Sequence, residues 1–160
     1  MPVYLFTYHA YRSWMPDRAR GFVRRRAGIL PSDESLSATY ARQAREDPVL
    51  FTPPQQLELI AELQRAFEKQ RCRGHFIATE PTHVHVLVSW RDERDWKRLR
   101  NGLKQSMTRR LNHQARREHW FSEGASRKRV SDQGHFNHVV EKYLPSHRGW
   151  KWREGGEPFV

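Results

Sequence analysis

Residues 80–88 of the chain read Glu-Pro-Thr-His-Val-His-Val-Leu-Val, and the fold can be worked out from this stretch. Valine stands at every second position from 84 to 88, which is the pattern of a strand with one face against a core. The same alternation places His83 and His85 side by side on the opposite face. Two imidazoles at this spacing can chelate one cation; the alternative is a pair of exposed histidines on a half-solvated strand. The stretch predicts a strand from Thr82 to Trp90 with a candidate metal site.

The flanking sequence extends this strand into a hairpin and two helices. Gly74–Glu80 reads as a second strand, and the short break at Pro81 favours antiparallel pairing of the two. Before it, Pro54–Gln70 has apolar residues at helical spacing and a proline at its start, where proline is tolerated. After it, residues from Asp95 to about Arg117 predict a long basic helix with an apolar seam.

The two ends of the chain complete an α+β pattern. The remaining predicted elements are a strand over Val3–Trp14, an irregular insertion over about 15–53 with a short helix near Ser37–Glu46, a short strand or anchored turn at Trp120-Phe121, a loop over Gly124–Arg129 and a helix over Gly134–Leu144. The order β-α-β-β-α-β-α contains split β-α-β units. We predict one domain over residues 1–160 with the α+β fold class of a ferredoxin-like or RRM-like sandwich. It has a central antiparallel sheet, helices on one face and a C-terminal helix that carries a tyrosine.

The charge of the chain indicates a polyanionic partner. Lys and Arg number 29 against 18 Asp and Glu, a net charge of +11, and such a field favours contacts with phosphates. Cys72 is the single cysteine, so an intramolecular disulfide is excluded. The N-terminus lacks the features of a signal peptide, and no apolar run approaches the ~20 residues that span a bilayer. We expect a cytoplasmic protein that binds nucleic acid and no membrane.

Candidate DNA contacts fall into three groups. The basic helix is expected to follow the backbone, Arg127-Lys128-Arg129 forms a second basic patch, and two tryptophans of the basic tail are candidates for stacking on unpaired bases. The residues are Lys97, Arg100, Lys104, Arg109, Arg110, Arg127, Lys128, Arg129, Trp150 and Trp152. The alternative for each cation is a solvated helix or loop face.

One tyrosine stands apart from the other four. Tyr143 alone follows the histidine pair, and His147 comes four residues later. Positions four apart share a helix face, so a nucleophile and a third metal ligand could approach one site together. Pro145 disfavours helix just before His147, however, so this spacing does not fix the geometry. Tyr143 also continues an apolar stripe of its helix, and packing is the alternative role.

In order along the chain, these features resemble a known family. The stretch from Glu80 to Val88 resembles the HUH motif of single-tyrosine transposases, which serve short insertion sequences and include the REP-associated tyrosine transposases. That family usually has Met-Pro-Asn before the first histidine, where this chain has Glu-Pro-Thr. The other matching features are the helix residues Leu103–Arg109, Trp120, the Gly124–Ser126 turn, Tyr143, and near the N-terminus Thr7–His9, Trp14 and Arg20–Phe22.

The resemblance implies an enzyme that cleaves and rejoins single-stranded or hairpin DNA. Tyr143 would be the nucleophile of a 5′-phosphotyrosine intermediate, with Mg²⁺ or Mn²⁺ held by His83, His85 and the residue at 147. The family usually has Gln at this last position, and His147 gives three imidazoles, which favour zinc, nickel or manganese over magnesium. The metal is therefore open, and a catalytically weakened relative is an alternative. The insertion-sequence branch acts as a dimer and the REP-associated branch is linked to monomers, so monomer and homodimer both stay open.

Two further functional hypotheses fit the same residues. One is a non-catalytic nucleic-acid-binding module on the same fold, in which charge and aromatic rings bind the strand and the histidines hold no metal. The other is a metal hydrolase that does not use the tyrosine and recruits His119 or His147 beside the histidine pair. Covalent attachment of DNA separates the transposase-like enzyme from both.

Overall fold

The computed structural model describes residues 1–13, 22–24 and 28–160, so Trp14, Arg20 and Gly21 lie outside the described residues. The strands are β1 Val3–His9, β2 Phe22–Arg24, β3 Gly28–Leu30, β4 Arg73–Glu80, β5 His83–Ser89, β6 Ser126–Arg129 and β7 Lys151–Arg153. The helices are α1 Glu34–Gln43, α2 Pro53–Lys69, α3 Trp96–Asn112 and α4 Gln133–His138, the last continued by a π-helical turn over Val139–Tyr143 and a 3₁₀ turn over Leu144–Ser146.

Five of the strands form one antiparallel sheet in the order β6-β1-β5-β4-β7. The connections β1-α2-β4 and β5-α3-β6 each skip the strand between their ends, which is the interleaving of a ferredoxin-like sandwich. The hairpin expected around Pro81 is the β4–β5 pair. The predicted α+β sandwich with a central antiparallel sheet is therefore confirmed.

The two faces of the sheet carry different elements. Phe6, Tyr8 and the alternate valines of β5 pack in the main core, which the apolar seam of α3 from Leu99 to Leu111 also enters. On the other face, Leu5 and Leu87 belong to a second apolar cluster with residues of the 139–144 segment. The segment that bears Tyr143 therefore lies on the sheet face opposite α2 and α3.

Local capping explains where the two long helices begin. Thr52 accepts a hydrogen bond from the backbone N–H of Gln55, whose side chain accepts from the backbone N–H of Thr52, and prolines follow at the first helical positions. Asp95 caps α3 through Lys97 N–H.

The prediction that α3 reaches about Arg117 is wrong, because the helix ends at Asn112. The amide oxygen of Asn112 accepts hydrogen bonds from Arg117 N and Trp120 Nε1. These bonds turn the chain so that Trp120 enters the core.

Three other predicted elements need correction. The first strand ends at His9 rather than Trp14, since the chain turns at Arg12 with φ of 60°. The loop predicted over Gly124–Arg129 contains an edge strand, Ser126–Arg129, paired with β1. The insertion is more regular than expected, because α1 and the β2–β3 pair lie within it. Among the described residues, no helix combines the length and apolar character needed to cross a bilayer.

The predicted single helix over Gly134–Leu144 is divided into α, π and 3₁₀ turns. Pro145 has no N–H to donate, so the regular hydrogen-bond ladder cannot continue through it. The wider π turn ends at Tyr143, and the 3₁₀ turn carries the chain to His147, which is extended. π turns within helices are frequent at functional sites.

Candidate active site

His85 lies at the centre of a cluster on the sheet face below the tyrosine segment. Its side chain is buried, with 4% of the residue exposed. Its Nδ1 lies 2.8 Å from Thr7 Oγ1, and its Nε2 lies 3.3 Å from the hydroxyl of Tyr143. His83 shares this face, with its Nδ1 2.9 Å from Thr82 Oγ1 and its ring centroid 4.7 Å from that of His85.

His147 completes a group of three imidazoles. One nitrogen from each of His83, His85 and His147 lies within 4.8 Å of the others. Nδ1 of His147 is 3.1 Å from the carbonyl oxygens of both Tyr143 and Leu144. Carbonyls only accept hydrogen bonds, so Nδ1 carries a proton, and Nε2 is the nitrogen that offers a lone pair in the corresponding neutral tautomer. Neutral imidazoles with a fixed tautomer are the form that binds a metal ion, so the donor set fits a divalent cation.

The ionisation of the cluster favours cation binding. Burial, followed by repulsion from three neighbouring histidines, lowers the pKa of His85 to about 2, so this ring stays neutral. Burial and the negative charge of Glu80 raise the pKa of Tyr143 above its usual value of 10.0. A positive charge among the imidazoles would lower the pKa of the Tyr143 phenol and so oppose the effects of burial and of Glu80. The three histidines could therefore hold a cation beside a phenol that does not ionise easily by itself.

Two further residues of this cluster, Thr7 and His9, are not predicted as site residues from the sequence, where they only contribute to the family resemblance. Both alternate onto the same face of β1. The β1–β5 pairing places Thr7 opposite His85 and His9 opposite His83, with the rings of His9 and His83 6.0 Å apart. Alternation within β1 was visible, but its register against β5 was needed to show which face it shared.

A buried hydrogen-bond network holds the segment that follows His147. Gln56 Oε1 lies 3.0 Å from the hydroxyl of Thr79 and accepts from Trp150 N at 3.1 Å, while Gln56 Nε2 donates to Phe51 O. Thr79 N also donates to Trp150 O. Gln56 and Thr79 are buried, and unpaired polar groups there would be costly. The network fixes the chain just beyond His147 against α2 and β4.

Substitution of Gly149 tests whether this hydrogen-bond network contributes to the stability of the fold. A Cβ at position 149 would lie 2.0 Å from Thr79 O and 2.5 Å from Gln56 Oε1, so the backbone must move. We expect Gly149→Ala to lower the free energy of unfolding by about 1–3 kcal/mol, measured by urea denaturation. Gly156→Ala is the control, since its Cβ would meet only Arg153 O at 3.5 Å. Equal stabilities of the two variants would show that the close approach at 149 is not a constraint.

The predicted cations of α3 are divided between structural contacts and solvent. Arg100 donates to Ala125 O at 2.9 Å, and Lys104 donates to Ser122 O at 2.7 Å, so both hold the turn before β6. Arg110 pairs with Glu58 at 3.0 Å. Lys97 and Arg109 are exposed. Helix α3 packs on the sheet face opposite Tyr143, and Arg100 and Lys104 line a pocket that His9 also lines.

The other residues predicted to contact DNA lie on β6 and in the C-terminal tail, and they do not share one surface. Arg127 stacks on Trp96 with a distance of 4.0 Å to the ring centroid, and Arg129 is exposed. Lys128 is paired with Leu5 and therefore points to the face that carries Tyr143. Trp150 is half-buried against the main core, and Trp152 is 8% exposed and packs near Phe67. Burial of Trp152 removes the free ring face that base stacking needs.

His119, the other histidine considered for a metal, lies elsewhere. Its Nδ1 is 3.3 Å from a carboxylate oxygen of Glu46, and its ring stacks on Tyr11 at 4.9 Å between centroids. Of the two candidates for a third ligand, the structure therefore brings His147 and not His119 to His83 and His85.

Comparison with known proteins identifies the fold. Neither a protein-family model nor a curated protein matches the sequence. Among solved structures, the chain is similar to a REP-associated tyrosine transposase bound to a REP hairpin, with a TM-score of 0.51 and 11% sequence identity over 89% of this chain. The match covers 64% of that protein's chain, so this chain spans less than two thirds of its length. The resemblance predicted from the sequence is confirmed at the level of the fold: this chain folds as a REP-associated tyrosine transposase does.

Proposed function

We propose that the chain is a metal-dependent, transposase-like enzyme that cleaves and rejoins single-stranded DNA through a covalent bond to Tyr143. The observation that carries this proposal is the position of the phenol. Its hydroxyl lies 3.3 Å from Nε2 of His85, beside three imidazole nitrogens that lie within 4.8 Å of one another. A nucleophile next to a set of metal ligands is the arrangement that phosphodiester transfer requires.

His83, His85 and His147 are the proposed ligands. A divalent ion bound there would act as a Lewis acid on the phosphate and would favour ionisation of the phenol. A proton on Nδ1 of His85, donated to Thr7 Oγ1, leaves the lone pair of Nε2, which faces the Tyr143 hydroxyl, for this role. The carbonyls of Tyr143 and Leu144 orient His147 in the same way. We propose Mn²⁺ or Mg²⁺, with another transition metal as the alternative that three imidazoles favour.

In the proposed reaction, the Tyr143 oxygen attacks the scissile phosphorus. An O–P bond forms, the bond from phosphorus to the 3′ oxygen breaks, the phenolic proton passes to water, and the departing 3′ oxygen takes a proton from water. Water has access because 40% of Tyr143 is exposed. The phosphotyrosine keeps the energy of the diester, so attack by a 3′ hydroxyl reverses the step and reseals the strand. The reaction needs no nucleotide cofactor.

The proposed substrate is single-stranded DNA next to a hairpin or repeat. The fold neighbour was solved with a REP hairpin, and a net charge of +11 supports binding to a polyanion. We also propose that one chain is sufficient, because Tyr143 and the three histidines meet within the same molecule.

The experiment uses end-labelled hairpin DNA with randomised single-stranded flanks, incubated with the protein and Mn²⁺. We expect a labelled adduct that survives boiling in detergent and that disappears when EDTA is present. Cleavage without an adduct would overturn the proposal in favour of a tyrosine-independent hydrolase. Tight binding without cleavage under Mn²⁺, Mg²⁺ or Zn²⁺ would overturn it in favour of a non-catalytic binding module.

A further inference from the structure

A cavity of about 320 Å³ opens beside Tyr143, between the tyrosine segment and strands β1 and β6. Leu5 and Val139 line it and are buried, so part of its surface is apolar. Lys128 and His138 also line it, and both residues are exposed. We call this cavity the β6 groove. Its volume is near the lower end of the range of ligand pockets, ~300–1,000 Å³, which suits one nucleoside.

The β6 groove combines an apolar surface with an available positive charge. Lys128 lies opposite Leu5 in the β1–β6 register and so points to the groove side of the sheet. No hydrogen bond or ion pair of Lys128 is found within residues 1–13, 22–24 and 28–160, in contrast to Arg100 and Lys104, which hold backbone carbonyls. A nucleobase can pack on apolar side chains while a phosphate meets the ammonium group.

The position of the β6 groove indicates which of the two nucleotides beside the cleaved bond it would hold. A phosphate attacked by Tyr143 must contact the phenol oxygen, and the nucleotides on its two sides must occupy adjoining space. The leaving 3′ oxygen departs in line, on the side of phosphorus away from the phenol. The nucleotide that stays attached through its 5′-phosphate begins at the Tyr143 oxygen, and Tyr143 is a wall of the β6 groove.

We propose that the β6 groove binds the nucleotide immediately 3′ of the cleaved bond, with its base on Leu5 and Val139 and its following phosphate at Lys128. This inference rests on the proposed function. It adds a binding site that keeps the covalently attached half of the DNA in place until the strand is rejoined.

The test compares Lys128→Ala with Lys69→Ala, which removes the same charge from an exposed position on α2, across the sheet from the groove. The probe is one hairpin oligonucleotide whose cleavage position has been mapped from the randomised pool, and the rate of adduct formation is measured under single-turnover conditions. We expect Lys128→Ala to lower this rate about tenfold or more, as for loss of a charge-assisted hydrogen bond. Lys69→Ala should stay within about twofold of wild type.

A substrate series locates the contact. An uncharged methylphosphonate replaces one phosphate at a time on either side of the cleaved bond. Replacement of the phosphate that follows the first 3′ nucleotide should slow the wild-type protein by about the same factor as Lys128→Ala and should not slow Lys128→Ala further. Adduct formation with equal rates for the two lysine variants, or coupling of Lys128 to a phosphate on the 5′ side, would overturn this inference and leave the proposed function intact. Absence of any adduct with wild-type protein would overturn the proposed function, and the inference with it.

Discussion

Replacement of Tyr143 by Phe is expected to abolish covalent attachment of DNA and to lower the rate of strand cleavage by at least about 10³-fold. The change removes only the hydroxyl that lies 3.3 Å from His85 Nε2. The ring is 40% exposed, so the free energy of unfolding should stay within about 0.5 kcal/mol of wild type. Single-turnover cleavage of the mapped hairpin substrate, together with urea denaturation, measures both quantities.

Tyr40→Phe is the matched control for this variant. Tyr40 lies on α1 with 42% of the residue exposed, so the same atom is removed from a tyrosine of similar exposure. Its cleavage rate should equal that of wild type. Wild-type cleavage by Tyr143→Phe would show that water or another group attacks the phosphate, and Tyr143 would then be a packing residue.

The second large effect is expected at His83. His83→Ala should weaken Mn²⁺ binding by more than about 100-fold, beyond the range seen when an outer partner of a ligand is removed, and cleavage should fall with it. His83 is half-buried at the first residue of β5, whereas His85 is buried and contacts Thr7. Replacement of His83 is therefore a clearer test of metal binding than replacement of His85, because the His83→Ala variant should fold. Calorimetric titration with Mn²⁺ and circular dichroism check the two parts separately.

His113→Ala serves as its control, since His113 is exposed at the end of α3. A mixture of His83→Ala and Tyr143→Phe proteins should also stay inactive, because each chain then lacks one part of a site that one chain supplies. Recovery of cleavage in the mixture would show that the tyrosine acts on a partner's histidines. Unchanged metal binding by His83→Ala would remove this residue from the ligand set.

The sequence was most informative where the pattern was periodic. Alternation in residues 83–88 predicted the strand and the face of the histidine pair, and the short break at Pro81 predicted the hairpin with β4. Helical spacing predicted α2 and α3 because their apolar seams are continuous. Strand β6 has no such pattern, since Ser-Arg-Lys-Arg is polar at every position and exposed. Its pairing with the edge of β1 follows from the three-dimensional arrangement and not from its own residues.

The three clustered histidines and the tyrosine were predictable from the sequence, whereas the added residues Thr7 and His9 and the geometry were not. Spacing brought Tyr143 and His147 together on a regular helix, whereas Pro145 excludes that helix. The structure brings the two side chains together through a π turn and a 3₁₀ turn, with ring centroids 5.1 Å apart. Charge patterns were equally incomplete. Arg100 and Lys97 lie on the same helix, and nothing in the sequence distinguishes their roles. In the structure, Arg100 donates to a backbone carbonyl, whereas Lys97 is exposed.

The central claim is that the Tyr143 oxygen becomes bonded to a DNA 5′-phosphate. The most direct measurement is mass spectrometry of the peptide that contains residue 143, after the adduct has been digested with protease and nuclease. We expect this peptide to carry the added mass of a nucleotide joined through its 5′-phosphate. Fragmentation should place the nucleotide on Tyr143. Cleaved DNA together with an unmodified Tyr143 peptide, or a nucleotide on any other residue, would contradict the account.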